Sequence, residues 1–437
     1  MLFSQENHYE IILNEVIRLL AVRNYSSALA LFDNLPPEDA NSTEIQLLKA
    51  AILNSAGRTA DAVQIASRIV SAESGNTEAL MVLADAAAID GRDRDRRNFL
   101  ERIIAINPGH GRALTDLGNI SLGNQNLFAA AGYFDRALAA EPDNGEALVG
   151  RAVVFRYQRD PRSSEQLLNR AAYLYPEWAR PLHERARLYT GAGYFDDALR
   201  DLDNAKRMEP DNYWLYVDCG QVLMDVDRKS EALAEFSRAI ELDPDNFLAY
   251  VFSAGIKEEL GDYEGAEQDY TKMTRIRPEY YFGFESLGAL LMKRKQWAGA
   301  RDAFLSAYEQ APTEYTYALL AALCWMRAAN QTAPRQFLAM VLRTAPRDTL
   351  EYSMLRLYHD LSGDLDVVVK VENETNTFTK ARMLYYLASF YDIRGNRTLA
   401  DRYYLMAQDI GEPAFIEWRL NEWILAEKGL GIRAINE

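Results

Sequence analysis

Cysteine is almost missing from this 437-residue chain: Cys219 and Cys324 are the only two, about a hundred residues apart. That excludes a disulfide framework and any CxxC zinc pattern, and it points to a reducing compartment. Long apolar runs are missing too. No stretch of about 18 apolar residues occurs, so no membrane-spanning helix is expected. The opening MLFSQENHYEIILNEV lacks a basic start, an apolar block and a small-residue cleavage site, so it does not read as a signal peptide. The expected location is cytoplasmic, or periplasmic if a leader has been removed. The abundance of Arg, Ala and Asp reads as bacterial. Basic charge is in deficit, with 48 Lys and Arg against 64 Asp and Glu, a net charge of −16. Broad contact with nucleic acid or an anionic membrane surface is therefore not expected.

Histidine is scarce as well, and catalytic patterns are absent. His8, His110, His183 and His359 lie in different parts of the chain, and HERAR at His183 is not HExxH. The GAG at Gly191–Gly193 has no strand before it, as a phosphate loop requires, and reads as a turn. DPDN and EPDNGE resemble pieces of a calcium loop but lack the spaced oxygen ligands and the terminal Glu. No nucleophile–base pair or carboxylate pair falls on facing elements. The reading is non-enzymatic, with no metal and no cofactor.

What is present is a ruler. Pro108, Pro142, Pro176, Pro210, Pro244, Pro278, Pro312 and Pro346 are spaced by 34 residues each time. Small residues keep the same register: Ala130, Ala198, Ala232, Ala266 and Ala300 lie twelve before a proline. Gly118, Ala152, Ala186, Gly220, Ala254 and Gly288 lie twenty-four before one. Within Tyr213–Asn246, Tyr216, Cys219, Gly220 and Leu223 form one helical face, and Ala232, Phe236, Ala239 and Ile240 a second. DVDRKS between them is a turn. Each period is thus two antiparallel helices whose small residues allow close approach. Proline stops the second helix, and the following Asp or Asn caps the next first helix.

The period and the Leu–Gly/Ala–Tyr, Ala, Phe and Ala–Pro positions resemble the tetratricopeptide repeat family, best in RPLHERARLYTGAGYFDDALRDLDNAKRMEPDN (Arg180–Asn212). The resemblance covers about eleven repeats from Tyr9 to Ala414. It implies an all-α, right-handed superhelical solenoid of antiparallel helix pairs. The expected organisation is an N-terminal extension over 1–8, N-terminal repeats over 9–110 and well-formed central repeats over 111–314. Degenerate repeats follow over 315–380, then a further repeat over 381–414, with a C-terminal capping helix and tail over 415–437. Three local expectations go with it. Asp160–Pro161 caps and starts a helix, Thr332 caps a late-starting helix with Pro334 in its first turn, and VENETNTFTK forms a loop. In FIEWRLNEWILAEKG, Ile416, Leu420, Trp423 and Ile424 share one face that covers the last repeat, or docks a partner.

The family resemblance also implies where partners bind: inward positions of each first helix line a concave groove. Carried over, these are Arg112, Asn119, Arg156, Tyr157, Arg180, His183 and Arg187, then Trp214, Gln221 and Met224, then Glu258 and Glu259, then Phe282, Met292 and Lys293. Gly145–Thr190 holds eight arginines and five acidic residues, net +3. Arginine forks suit carboxylates or phosphates, and Trp214 and Phe282 would add aromatic anchors. The competing reading is that these arginines pair with Glu146, Glu184 and neighbouring acids. The chaperone-tail carboxylate clamp of the family fits poorly. Thr115 stands where it needs Lys, Gly150 where it needs Asn, and Glu184 where it needs Arg. RNA-reading helical repeats have a similar period, but the acidity and the alanine and proline positions disagree with them. The expected function is a scaffold or adaptor that binds a protein segment, acidic or carboxylate-bearing, in a basic-aromatic groove. The alternatives are a receptor or shuttle for a small apolar or anionic ligand, or a self-assembling component joined through its C-terminal helix.

Overall fold

A computed structural model of the protein describes residues 2–330, 332–411 and 415–430, with side chains from residue 11 onward. Every regular element among the described residues is a helix. The chain divides into two compact units, Met1–Leu215 and Tyr216–Glu437. The described residues form twelve helical hairpins, one more than the roughly eleven repeats that the family resemblance implies. The first hairpin opens with Leu2–Ala21, so residues 2–8 of the stretch expected as an N-terminal extension are helical.

The joint between hairpins explains the recurring acid–Pro–Asp–Asn sequence. Helices Asp93–Ile106, Leu127–Ala140, Lys229–Leu242 and Tyr263–Ile276 each end two residues before a ruler proline. Beyond Leu127–Ala140, the Asn144 side chain works in both directions. Its amide donates to Glu141 at 2.9 Å, and its oxygen accepts from the Ala147 backbone N–H at 3.0 Å, capping the next helix. Asn76 with Glu73 and Asn246 with Asp243 repeat the arrangement. Asp160 caps Pro161–Leu174 through Ser163, with proline at the first helical position.

A second ruler marks the turn inside each hairpin. Residues 23, 57, 91, 125, 159, 193, 227, 261, 295 and 329 all have positive φ. Glycine holds four of these positions without strain. Arg23, Gln125, Arg159, Asp227, Lys295 and Ala329 adopt the same left-handed conformation against their intrinsic preference.

Close packing of the two helices uses the small residues. Ala130, Ala198, Ala232, Ala266 and Ala300 have no exposed surface. A Cβ on Gly118, Gly220 or Gly288 would stand within 2.7 Å of the ring of Phe134, Phe236 or Phe304 respectively. Ala232→Trp is therefore expected to overpack the hairpin and to cost roughly 1–3 kcal/mol. A thermal melt indistinguishable from the parent would contradict this placement of Ala232 at the helix–helix contact.

Two local expectations need correction. Asn330, not Thr332, caps the helix Thr332–Val341: its Oδ1 accepts from the Thr332 and Ala333 amides, each at 3.1 Å. Pro334 does sit in that helix's first turn. VENETNTFTK is not loop throughout. Its first two residues end Asp364–Glu372, only residues 373–376 are turn, and Asn376 caps Thr377–Ile393 through Thr379. The second helices here are short, with 10 residues in Thr332–Val341 and nine in Asp364–Glu372, against 14 in Lys229–Leu242.

Candidate functional site

In the first unit, successive first helices touch one another as well as their own hairpin partners. Gly145–Tyr157 lies between Gly111–Gly123 and Ala179–Ala192. Side chains one period apart therefore meet, and the expected arginines pair across helices. Arg180 pairs with Glu146, Arg156 with Glu184 at 3.3 Å, and Arg187 with Glu184 at 3.5 Å. Arg112 pairs with Asp85 at 2.7 Å. The neighbouring acids thus engage each of these arginines, as the competing reading expects. Only Arg187–Glu184 lies within a single helix.

These residues border a recess of about 500 Å3 lined by Trp178, Arg180, His183, Glu184, Arg187 and Trp214, among others. Trp214 is 43% exposed, a large apolar side chain left to solvent beside basic groups. Trp178 lies under Arg180, whose guanidinium carbon is 6.0 Å from the ring centroid. Tyr189, on the same helix as Arg180, donates at 2.7 Å to Glu165 of the preceding helix Pro161–Leu174, and burial together with that acid pushes its hydroxyl up to about 12. The recess gathers Arg180, His183, Arg187 and Trp214. Arg156 reaches it only through Glu184, while Arg112 and the half-buried Asn119 sit on the earlier helix Gly111–Gly123.

Gln221 and Phe282 belong to the second unit and do not line this recess. Phe282 joins an aromatic group, 4.2 Å from Tyr281 and 5.6 Å from Tyr280 between ring centroids. The two expected aromatic anchors are therefore in different units.

In the second unit some of the expected positions adjoin the chain's own last helix. Ile416–Glu427 packs on Arg397–Ile410, as an end cap should, and on Thr377–Ile393. It also reaches back to Tyr281–Lys293, three hairpins earlier. Arg419 stands 3.9 Å from Glu258, and the Lys293 ammonium lies 4.4 Å from the Trp423 ring centroid. Glu417 is fully buried, accepts from the Tyr386 hydroxyl at 2.7 Å, and pairs with Arg382 at 3.4 Å. Glu258, Met292 and Lys293, expected to face a partner, thus adjoin a segment of the same chain. Trp423, expected to serve self-association, packs against the core of its own unit. Local periodicity carries no signal for this docking, because the contacts join residues more than a hundred positions apart.

Among the described residues, no three His, Cys, Asp or Glu side chains converge as a metal site, and no helix is long and apolar enough to cross a membrane. Cys324 is buried, which pushes its thiol far above the ordinary range. It is a core residue and not a nucleophile.

An array of antiparallel helical hairpins on a fixed period defines an α-helical repeat protein, a class whose members serve as scaffolds for protein interactions. Residues 115–177 and 218–281 match the tetratricopeptide repeat family, and the helical repeat array around them is similar to it. No curated protein matches the chain. Among solved structures, one described as a functional characterization of PilF from Pseudomonas aeruginosa is 18% identical. It covers 47% of this chain and 94% of its own, with a TM-score of 0.42. A tetratricopeptide repeat protein from Parabacteroides merdae is 19% identical and covers 56% of this chain and 98% of its own, at a TM-score of 0.37. A thermophilic repeat protein from Thermus thermophilus is 20% identical, covers 42% and 99%, and scores 0.36.

Proposed function

We propose that the chain is a non-enzymatic interaction scaffold that takes a partner protein segment into the recess of its first unit. The segment carries an acidic side chain or a terminal carboxylate next to an apolar one. The observation that supports this most is Trp214, 43% exposed beside Arg180, His183 and Arg187 in a single recess. Exposed tryptophan and arginine are the residue types that carry most binding energy at interfaces.

The existing ion pairs do not oppose this reading. The Arg180 and Glu146 side chains are 37% and 48% exposed, and a pair so open to water is worth about 0–1 kcal/mol. An incoming carboxylate can replace Glu146 at little cost and gain a bidentate hydrogen bond. Its apolar neighbour then covers the indole.

The test is co-purification from source lysate with the parent, Trp214→Ala and Arg187→Glu proteins, read by mass spectrometry. The expected result is a partner lost from both variants while their melts match the parent. With the partner in hand, Trp214→Ala should weaken binding by about 2 kcal/mol or more, at least roughly thirtyfold. Identical partner sets for all three proteins would overturn the assignment of this recess.

A further inference from the structure

The C-terminal helix does not lie flush on the inner face of the second unit. Between it and the helices Tyr281–Lys293, Tyr315–Arg327 and Thr377–Ile393 is a cavity of about 780 Å3. A concave site of this size falls in the range that takes small molecules. Its walls include Met292, Leu323, Leu420 and Trp423, which form an apolar lining drawn from both the repeats and the terminal helix.

Two polar features of the lining are incomplete. Tyr385 has no exposed surface, yet among the described residues its hydroxyl has no hydrogen-bond partner. Burial and the neighbouring Tyr404 and Tyr358 push its ionisation far up, so it stays a neutral O–H donor. A buried hydroxyl without a partner carries a desolvation cost that a bound acceptor would remove.

The second feature is charge. Lys295 pairs with Glu427, Arg327 with Asp392 at 2.6 Å, and Lys428 with Asp392 at 3.1 Å and Asp401 at 2.9 Å. Lys293 is different. Its ammonium lies 4.4 Å from the ring centroids of both Tyr263 and Trp423, with no carboxylate at ion-pair distance among the described residues. Aromatic faces stabilise a cation without neutralising it.

We infer that this cavity binds a small amphipathic monoanion, an apolar body bearing one carboxylate. The body packs on Met292, Leu323, Leu420 and Trp423, Lys293 meets the charge, and the Tyr385 hydroxyl donates to a polar atom of the ligand. A single unmatched cation, with the Arg327 fork already held by Asp392, suits a monoanion better than a phosphate dianion. Because Leu420 and Trp423 lie on the terminal helix, occupancy also fastens that helix. The inference is independent of the peptide recess in the first unit.

Calorimetry on the full chain tests it, with decanoate and 2-naphthoate as probes and decanol and 2-naphthol as their uncharged counterparts. Saturable binding of at least one carboxylate is expected, with its alcohol bound roughly tenfold or more weakly. Lys293→Glu should remove that preference and leave alcohol binding unchanged. Tyr385→Phe should weaken the carboxylate without lowering the thermal melt. Ala426→Trp, at an exposed helical position on the cavity wall, should weaken both probes by occupying the space. Hydrogen exchange over 416–427 should slow when the carboxylate is bound. The inference is overturned if neither carboxylate binds the parent, if acid and alcohol bind equally, or if Lys293→Glu binds the carboxylate as the parent does.

Discussion

Glu417→Ala is expected to destabilise the second unit by roughly 3–5 kcal/mol, because it leaves a buried guanidinium without its counter-charge. Glu417 is completely buried on the terminal helix, and the Arg382 side chain it pairs with is 14% exposed. Burial alone would lower the Arg382 pKa, but the charge and hydrogen bond of Glu417 outweigh it and hold the guanidinium protonated. Tyr386, also buried, loses its 2.7 Å acceptor in the same substitution. The attraction of the pair is offset by the desolvation of both partners, so removing both is far milder than removing one. Arg382→Met/Glu417→Met should therefore recover most of the loss. Denaturant unfolding gives the stabilities, and amide exchange locates the damage. Exchange in 416–427 should rise first, with the hairpins of the first unit unaffected. A Glu417→Ala protein within about 1 kcal/mol of the parent would mean that the Glu417–Arg382 pair does not hold the terminal helix in place.

The proline ruler and the small-residue positions were legible because each records a local event, the end of a helix or the approach of its hairpin partner. The same holds for Asn144 and Asn246, whose spacing from the preceding acid is what a two-way cap needs. The second ruler was harder to see. Glycine marks only some of the left-handed positions, and at Arg23, Gln125, Asp227 or Lys295 the array imposes the conformation on a residue that does not favour it. Asn330 is hard to recognise as a cap because Thr332 and Pro334 look like a start signal by themselves. The site was partly legible. Arg180, His183, Arg187 and Trp214 fall in one repeat or at the start of the next, so their convergence follows from the period. Phe282 lies two periods beyond Trp214, in the other compact unit, and groups there with Tyr280 and Tyr281. The docking of the terminal helix joins Trp423 to Lys293 and Glu427 to Lys295, partners that no repeat pattern relates.

Gly150→Val should cost the first unit roughly 1–3 kcal/mol, although valine differs from the repeat's usual apolar residues only slightly. Gly150 sits on the helix Gly145–Tyr157 against the ring of Phe134, which has no exposed surface. A Cβ on Gly118, from the preceding first helix, would stand 2.6 Å from the same ring, and one on Gly150 would be closer still. The ring is a wedge between two hairpins, and both glycines make room for it. Phe134→Ala should be more damaging, about 3–5 kcal/mol, since it removes the wedge and leaves a cavity with both glycines beside it. The pair is expected to couple. In Gly150→Val/Phe134→Leu the smaller side chain admits the new methyl groups, so the double variant should lose less than the sum of the single changes. The second unit shows the alternative solution. Phe236, three periods after Phe134, stacks on Phe252, three periods after Gly150, with ring centroids 5.1 Å apart and planes inclined by 20°. A large residue is thus compatible with this position when the two rings lie flat on each other. Strict additivity in the Gly150/Phe134 cycle would show that the glycine is needed for something other than the ring.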